Sequence, residues 1–471
     1  MKTSVLTDRK RTMIFINIVI SCIATSMLST ALTTALPSII NDLDVSVATG
    51  QWLTSGYSLA MGIMMPLTAF LITRFPARRL YLSGLLIFIL GLLLCAAAPS
   101  FPLMMAARIL QACGNGILTS MAQVILLTIY PPQKRGSVMG WYGLSIGAAP
   151  VIAPTLAGMV VDAVGWKAIF YIAAVIVTVS FVWAFFVFEN VLDVSGKKFD
   201  IISFILSALG FGGVTLGVGN VSSYDFVSPQ VLLTLAVGIG ALILFVLRQL
   251  RLDQPFLELR ILQNRQYALS VAGSMLLYLV MMGGSMIMPL YAQSILGRSA
   301  TFSGLMVLPG SLVMALISPF AGKIYDKIGM RMLCITGAVL MILSSLGMVF
   351  IKTESSVWLA AGYNTVRCAA IGCLMMPLVT WGTASIGKEF TAHGTALLTS
   401  LRTIAGAIGT AVFTGIMTAV GRNAVVTHGN DAPIFGMNIS FLAMSIVSVG
   451  LLAVGVFGQN KKDYRLEENP G

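Results

Sequence analysis

The amino-acid sequence predicts an all-α polytopic membrane protein with fourteen spanning helices. Three observations carry that prediction: an apolar composition, apolar runs of bilayer length, and basic residues confined to alternate connections. Of the 471 residues, 57% are hydrophobic and 10% charged, whereas about a quarter of an ordinary soluble domain is charged. A soluble fold of this length could not cover itself with so few charges. The apolar residues gather in runs of about 20, enough at 1.5 Å per helical residue to cross a hydrocarbon core of roughly 30 Å. Spanning strands would alternate apolar and polar residues over about ten positions, and none of these runs does so.

The spans fall near 12–36, 52–72, 80–98, 102–129, 138–161, 167–188, 200–221, 229–250, 267–291, 302–321, 332–352, 356–381, 395–420 and 434–457. The first follows Lys2, Arg9, Lys10 and Arg11 in the manner of a signal peptide, but its apolar run lasts a full bilayer span. It is therefore read as an uncleaved helix. The even number returns Lys461, Lys462 and Arg465 to the side of the basic N-terminus.

A formal net charge of +12 could suggest a nucleic-acid partner, so the location of the 29 Lys and Arg residues matters more than their sum. Twenty-two lie in one set of alternating loops and tails, including Arg74, Arg78, Arg79, Lys134, Lys197, Lys198, Lys327 and Arg331. Lys167, Arg298, Lys352 and Arg422 lie on the other side with Asp42, Asp44, Asp225 and Asp431, and Arg108, Arg367 and Arg402 lie within spans. This is positive-inside bias. It predicts a plasma-membrane protein with both termini cytoplasmic, a lipid bilayer as surroundings, and no nucleic-acid partner.

All six cysteines lie in apolar runs, where they act as small packing residues without disulfide or metal-ligand spacing. No nucleotide-binding loop, nucleophile elbow or zinc pattern occurs. No enzyme activity, metal or organic cofactor is expected.

The segment Pro66 to Leu80 aligns without gaps on Pro319 to Leu333, pairing Pro66 with Pro319, Arg78 with Arg331 and Leu80 with Leu333. Each copy follows the second helix of a six-helix unit if two spans are inserted between the units. The expected organisation is a six-helix bundle over 1–191, two additional spans within 192–260, and a second six-helix bundle over 261–471. Parallel repeats of this kind mark transporters whose halves rock about a central site.

Several segments resemble the fourteen-helix drug:proton antiporter family of the major facilitator superfamily. In the first half they are Ala35-Leu36-Pro37, Gln51 to Tyr57, the loop Arg74 to Arg79, Arg108 to Gly116 with Gln111 and Gly114, and Gly143 to Gly158. Met288 to Tyr291, Gly304 to Gly310 and His393 to Ala396 add to them in the second half. The resemblance spans nearly the whole chain and is strongest to lincomycin-resistance-type exporters of Gram-positive bacteria. It implies a major facilitator fold, with two six-helix bundles plus two inserted helices, and a monomer that exports amphipathic compounds, including antimicrobials, against inward proton flow. The proton gradient would be the energy source.

An arginine inside a span costs at least ~2.5–3.5 kcal/mol unless it is paired or wetted, so Arg108 is expected to face the bundle interior. The resemblance makes it part of a substrate and proton pathway with Gln111; Tyr57 is a further candidate, and Arg367 occupies the matching span of the second half. Packing against backbone carbonyls is the alternative for Arg108. The fifth span carries Gly140, Gly143 and Gly147 on one face, then Pro150, Pro154 and Gly158. These predict close helix approach and a kink, and the resemblance assigns them to the conformational switch. It likewise assigns a gate to Arg74, Arg78 and Arg79. That copy has Thr73 and Pro76 where the family usually has Asp and Gly, whereas the second copy keeps Asp326 and Gly329 before Arg331. The charged gate is expected to be stronger in the second half, with Arg78 and Arg79 acting largely as topogenic charges. His393 reads as a loop-end residue before the thirteenth span, and Trp52 and Trp166 as interface anchors.

The most informative departure lies in the first span, which reads Met27-Leu28-Ser29-Thr30 where many relatives carry an embedded Asp. All 17 Asp and Glu residues fall in loops, tails or span ends, such as Asp162 and Asp200. Proton coupling therefore follows from the resemblance alone. With positive interior charges and no embedded acid, neutral or anionic amphipaths are expected to be favoured over quaternary ammonium compounds. Two other functions are compatible with the sequence: export or flipping of an endogenous anionic metabolite or lipid, and a transport-inactive membrane sensor. A sensor would carry a soluble domain or long tail, and the longest tail by these spans is about 14 residues.

Overall fold

A computed structural model describes residues 7–45, 47–192, 200–220, 228–253, 255–298 and 300–458. Lys2, Lys197, Lys198, Asp225, Lys461, Lys462 and Arg465 lie outside these residues, as do the side chains of Gln51, Pro150 and Pro154. Fourteen helices of at least 20 residues follow one another: α1 (Asp8–Asp42), α2 (Val47–Arg74), α3 (Ala77–Ala97), α4 (Phe101–Ile129), α5 (Arg135–Val164), α6 (Lys167–Val187), α7 (Ile201–Asn220), α8 (Pro229–Arg251), α9 (Arg265–Leu290), α10 (Ala300–Ile328), α11 (Met330–Val349), α12 (Val357–Thr383), α13 (Thr391–Asn423) and α14 (Ala432–Phe457). No strand occurs among the described residues. Among the described residues, thirteen stretches are long and apolar enough to cross a membrane. The remaining helix, α5, is 30 residues long.

Several helices outrun the predicted spans. The first continues to Asp42 through Pro37, and α13 begins at Thr391. A bilayer sets the minimum length of a spanning helix and not its maximum, so polar ends prolong it beyond the apolar run. His393 consequently belongs to the first turn of α13, where it is buried, and is not a loop residue.

Helices α1 to α6 and α9 to α14 pack in the same pattern. In the first set α1 contacts α5 and α6, α4 contacts α2 and α3, and α3 contacts α6. In the second, α9 contacts α13 and α14, α12 contacts α10 and α11, and α11 contacts α14. The sequence repeat is visible in the helix starts: α2 begins at Val47 and α10 at Ala300, a shift of 300 − 47 = 253, the same shift that carries Pro66 to Pro319. Two seams join the sets. One, between α5 and α10, is broad; the other, between α2 and α13, is narrower, and α7 packs against both of its helices. The helix α8 pairs chiefly with α7 and exposes most of its apolar side chains.

The two copies of the repeat turn their corners differently. Gly329 follows α10 at φ 84°, and its N–H bonds to the Tyr325 carbonyl at 2.9 Å. This is a positive-φ conformation that glycine adopts without a Cβ clash. Pro76 makes the corresponding turn at φ −55°, the angle its ring imposes.

Candidate functional site

A cavity of about 440 Å³ lies among α1, α2, α4, α5 and α13. Its walls combine apolar Met61, Met65 and Ile146 with Tyr57, Arg108 and Asn115. Ser26 and Ser29 stand on the α1 wall, at and beside the stretch 27–30, which carries no acid.

Arg108 lies seven residues, about 10 Å, into α4 and is 1% exposed. Its Nε donates to the Leu53 carbonyl at 3.2 Å, its Nη1 donates to Gln111 Oε1, and the guanidinium lies 4.0 Å from the Tyr57 ring centroid. The spacing of three residues places Arg108 and Gln111 on one helix face, and α2 supplies both the carbonyl and the ring. Asn115, one turn further along α4, donates to the Tyr57 hydroxyl at 2.7 Å and accepts from Thr119 Oγ1 at 3.2 Å. The structure thus brings together Arg108, Gln111 and Tyr57 and adds Asn115, which sequence reading missed because a neutral polar residue in a span resembles ordinary packing.

Arg367 stands apart from this cavity. It is 3% exposed and donates through Nη2 to Asn364 Oδ1 at 2.6 Å. Its Nε and Nη1 have no hydrogen-bond partner among the described residues. It presses against Gly284 of α9, where any Cβ would overlap the guanidinium. Arg402 of α13 is the third buried arginine, at 5% exposure, and lies 4.8 Å from the Tyr278 ring centroid. As an in-span charge it was legible, but no motif surrounds it. Among the described residues no Asp or Glu is buried.

The gate candidates divide between the halves. Asp326 of α10 accepts from the Gly136 and Ser137 N–H groups of α5 at 2.9 and 2.7 Å. A carboxylate there satisfies two otherwise unpaired donors and meets the positive end of the helix dipole. Ser318 Oγ donates to the Gly140 carbonyl at 3.0 Å, and Cβ atoms at Gly140, Gly143 or Gly147 would meet α10 or Met376 of α12. The backbones of α5 and α10 therefore lie in close contact on this face of the bundle. Gly158 faces open space and makes no such approach. Arg78 turns instead to α6, donating to the Phe185 carbonyl at 2.6 Å and lying 5.1 Å from that ring centroid. Arg74, Arg79 and Arg331 are exposed.

Trp166 is not an exposed interface anchor. It is 4% exposed and donates to Asp42 at 2.7 Å, tying the start of α6 to the end of α1. Trp52 is 46% exposed.

Two similarly packed helix sets around a polar-lined internal cavity, in a chain of membrane-spanning helices, define a multi-pass membrane transporter. The sequence matches the Major Facilitator Superfamily over residues 14–410, and the chain belongs to that family. It is 38% identical over 90% of each chain to an uncharacterized MFS-type transporter, YcnB, of Bacillus subtilis. With the lincomycin resistance protein LmrB of the same organism it shares 35% identity over 92% of this chain and 93% of that one. With the multidrug export protein EmrB of Haemophilus influenzae it shares 27% over 82% and 76%. The fold is shared with the human organic anion transporter MFSD10, at 14% identity and TM-score 0.64, covering 94% of this chain and 100% of that one. It is also shared with the proton:xylose symporter XylE, at 14% and 0.63, covering 95% and 97%.

Proposed function

We propose that the protein exports small amphipathic molecules, antimicrobials among them, across the cell membrane by alternating access, exchanging them for protons. The observation that carries this reading is the internal cavity, whose apolar walls suit an amphipath's body and whose Arg108, Tyr57 and Asn115 offer orienting groups. Similarity over nearly full length to proteins named for lincomycin resistance and multidrug export supports it. The units 1–191 and 261–471 rock about the cavity, 192–260 contributes the peripheral pair, and the monomer functions alone. Both termini face the cytosol, so the Asp326 contact closes the cytosolic mouth. Neutral or anionic amphipaths are preferred over quaternary ammonium compounds, because three buried arginines meet no buried acid among the described residues. The same observation favours a second reading, export or flipping of an endogenous anionic metabolite or lipid.

Reconstitution into proteoliposomes with an imposed pH gradient tests the proposal. Accumulation of neutral or anionic amphipaths that collapses with the gradient is expected. Uptake of none of a panel of cationic, neutral and anionic amphipaths, at any gradient, would refute it.

A further inference from the structure

Arg402 carries an assignment that Arg108 does not. A guanidinium within a span costs at least ~2.5–3.5 kcal/mol unless it is paired or wetted. Arg108 has its partners in Leu53, Gln111 and Tyr57. Arg402 is likewise buried, but among the described residues it has only the Tyr278 ring, and its buried Nε and Nη1 have no acceptor there. The ring holds the head in place while two donors remain open. Seven residues earlier on the same face of α13, buried Thr395 Oγ1 is also without a partner.

The surroundings give the open donors a destination. Thr403, next in sequence, lines the cavity, and Tyr142 on the α5 wall lies within electrostatic reach of Arg402. Arg402 stands eleven residues, about 16 Å, from the start of α13, which is the end closed by Asp326, whereas Arg108 stands about 10 Å from the opposite end. Arg108 lines the cavity, and Arg402 stands beside its wall at a different depth in the bundle. Nε and Nη1 of Arg108 have protein acceptors, whereas the same two nitrogens of Arg402 are open among the described residues.

We infer that Arg402 is the binding site for the anionic head of an amphipathic substrate, a carboxylate seated on Nε and Nη1 while the apolar body lies along Met61, Met65 and Ile146. This rests on the export reading and adds to it the residue that reads charge. A charge-assisted hydrogen bond to a buried head is worth about tenfold or more in affinity.

The test compares 1-naphthoate with its methyl ester on purified protein in a neutral detergent. The wild type should bind the acid at least about tenfold more tightly than the ester. Arg402→Gln should abolish that difference, while Arg402→Lys, which keeps the charge without the planar fork, should keep part of it. Unchanged acid affinity in Arg402→Gln overturns the assignment, as does equal weakening of acid and ester, which would mark a packing role. If Arg402→Gln does not fold, Arg402→Lys decides by the same rule: equal weakening of acid and ester overturns it. Transport of the ester without any acid preference would defeat this assignment and spare the export reading, whereas transport of neither compound nor any other amphipath defeats the reading itself.

Discussion

Arg108 and Arg367 occupy matching helices of the two halves, yet they have opposite surroundings. Arg108 leans on the ring of Tyr57 and has its donors distributed over α2 and α4. The 253-residue shift that relates α2 to α10 carries Tyr57 to Gly310, so no ring is available to Arg367. Space for a side chain at Gly310 is taken up by Asn364 and Cys368, and the guanidinium packs on the bare backbone of Gly284. One arginine borders a cavity and the other is sealed into a helix contact. A repeated fold can thus carry a buried arginine on the matching helix of each half and give the two different surroundings.

The largest expected effect falls on the cavity side. Arg108→Ala should insert and fold normally but lose about 100-fold or more in transport, the scale of two charge-assisted hydrogen bonds and a cation–π contact. Arg367→Met should cost transport less and leave the thermal midpoint unchanged or higher, because it removes a buried charge with two unpaired nitrogens. Equal losses of transport with equal losses of insertion in both variants would erase the contrast. Transport assays alongside fluorescence-detected gel filtration would measure both.

Gly284→Ala comes next. Its methyl group must displace the Arg367 head, an overpacking that typically costs about 1–3 kcal/mol. Combined with Arg367→Met the penalty should shrink, and a double-mutant thermal-stability cycle reads the coupling. Additive losses would mean that the guanidinium does not rest on Gly284.

The halves also differ at their gates. Asp326→Asn keeps the side chain's shape and removes the charge that Gly136 and Ser137 donate to. It should shift the closed face toward opening about tenfold, seen as faster labelling of a cysteine placed at Ser137. Introducing Thr73→Asp into the first half should slow labelling at Thr395 if the second gate can be rebuilt by one carboxylate.

The smallest effect concerns α7 and α8. Arg248 makes two hydrogen bonds to Asp200, at 3.0 and 3.1 Å. Burial alone would raise the Asp200 pKa, but the bonds to Arg248 and Ser203 outweigh it and hold the carboxyl below its usual value. A depressed folded value means that the pair stabilises the hairpin above the ordinary carboxylate range and that this contribution fades as pH falls through the lowered value. Asp200→Asn should lower the thermal midpoint slightly at neutral pH and not at all in strong acid. A drop that persists in acid would contradict the sign.

Most of the fold was legible because a bilayer forces every span to declare itself as an apolar run, whereas helix ends were not, since polar termini such as Asn41-Asp42 continue a helix at no cost to the membrane. Arg108, Gln111 and Tyr57 could be read because an in-span charge and a motif coincide there. Trp166 was misread because a tryptophan at a span end looks the same whether it meets lipid or a carboxylate. Only the return of α6 beside the end of α1 brings Asp42 to it. Arg402 obeys the same cost argument as Arg108, yet its partner ring comes from α9, more than a hundred residues earlier, and no local pattern announces it.

The seam between α5 and α10 is built from Gly136, Gly140, Gly143 and Gly147 against Gly322, Ser318 and Ala315. Interlocked side chains work like gear teeth, and separating them requires many rotamers to change together. Two nearly smooth backbones have few teeth to disengage. On the proposed alternating-access reading, the seam would work as a bearing on which the halves tilt with little repacking, latched by the bonds to Asp326 and the bond from Ser318 to Gly140. A contact of this design opens by releasing a latch and not by melting a core.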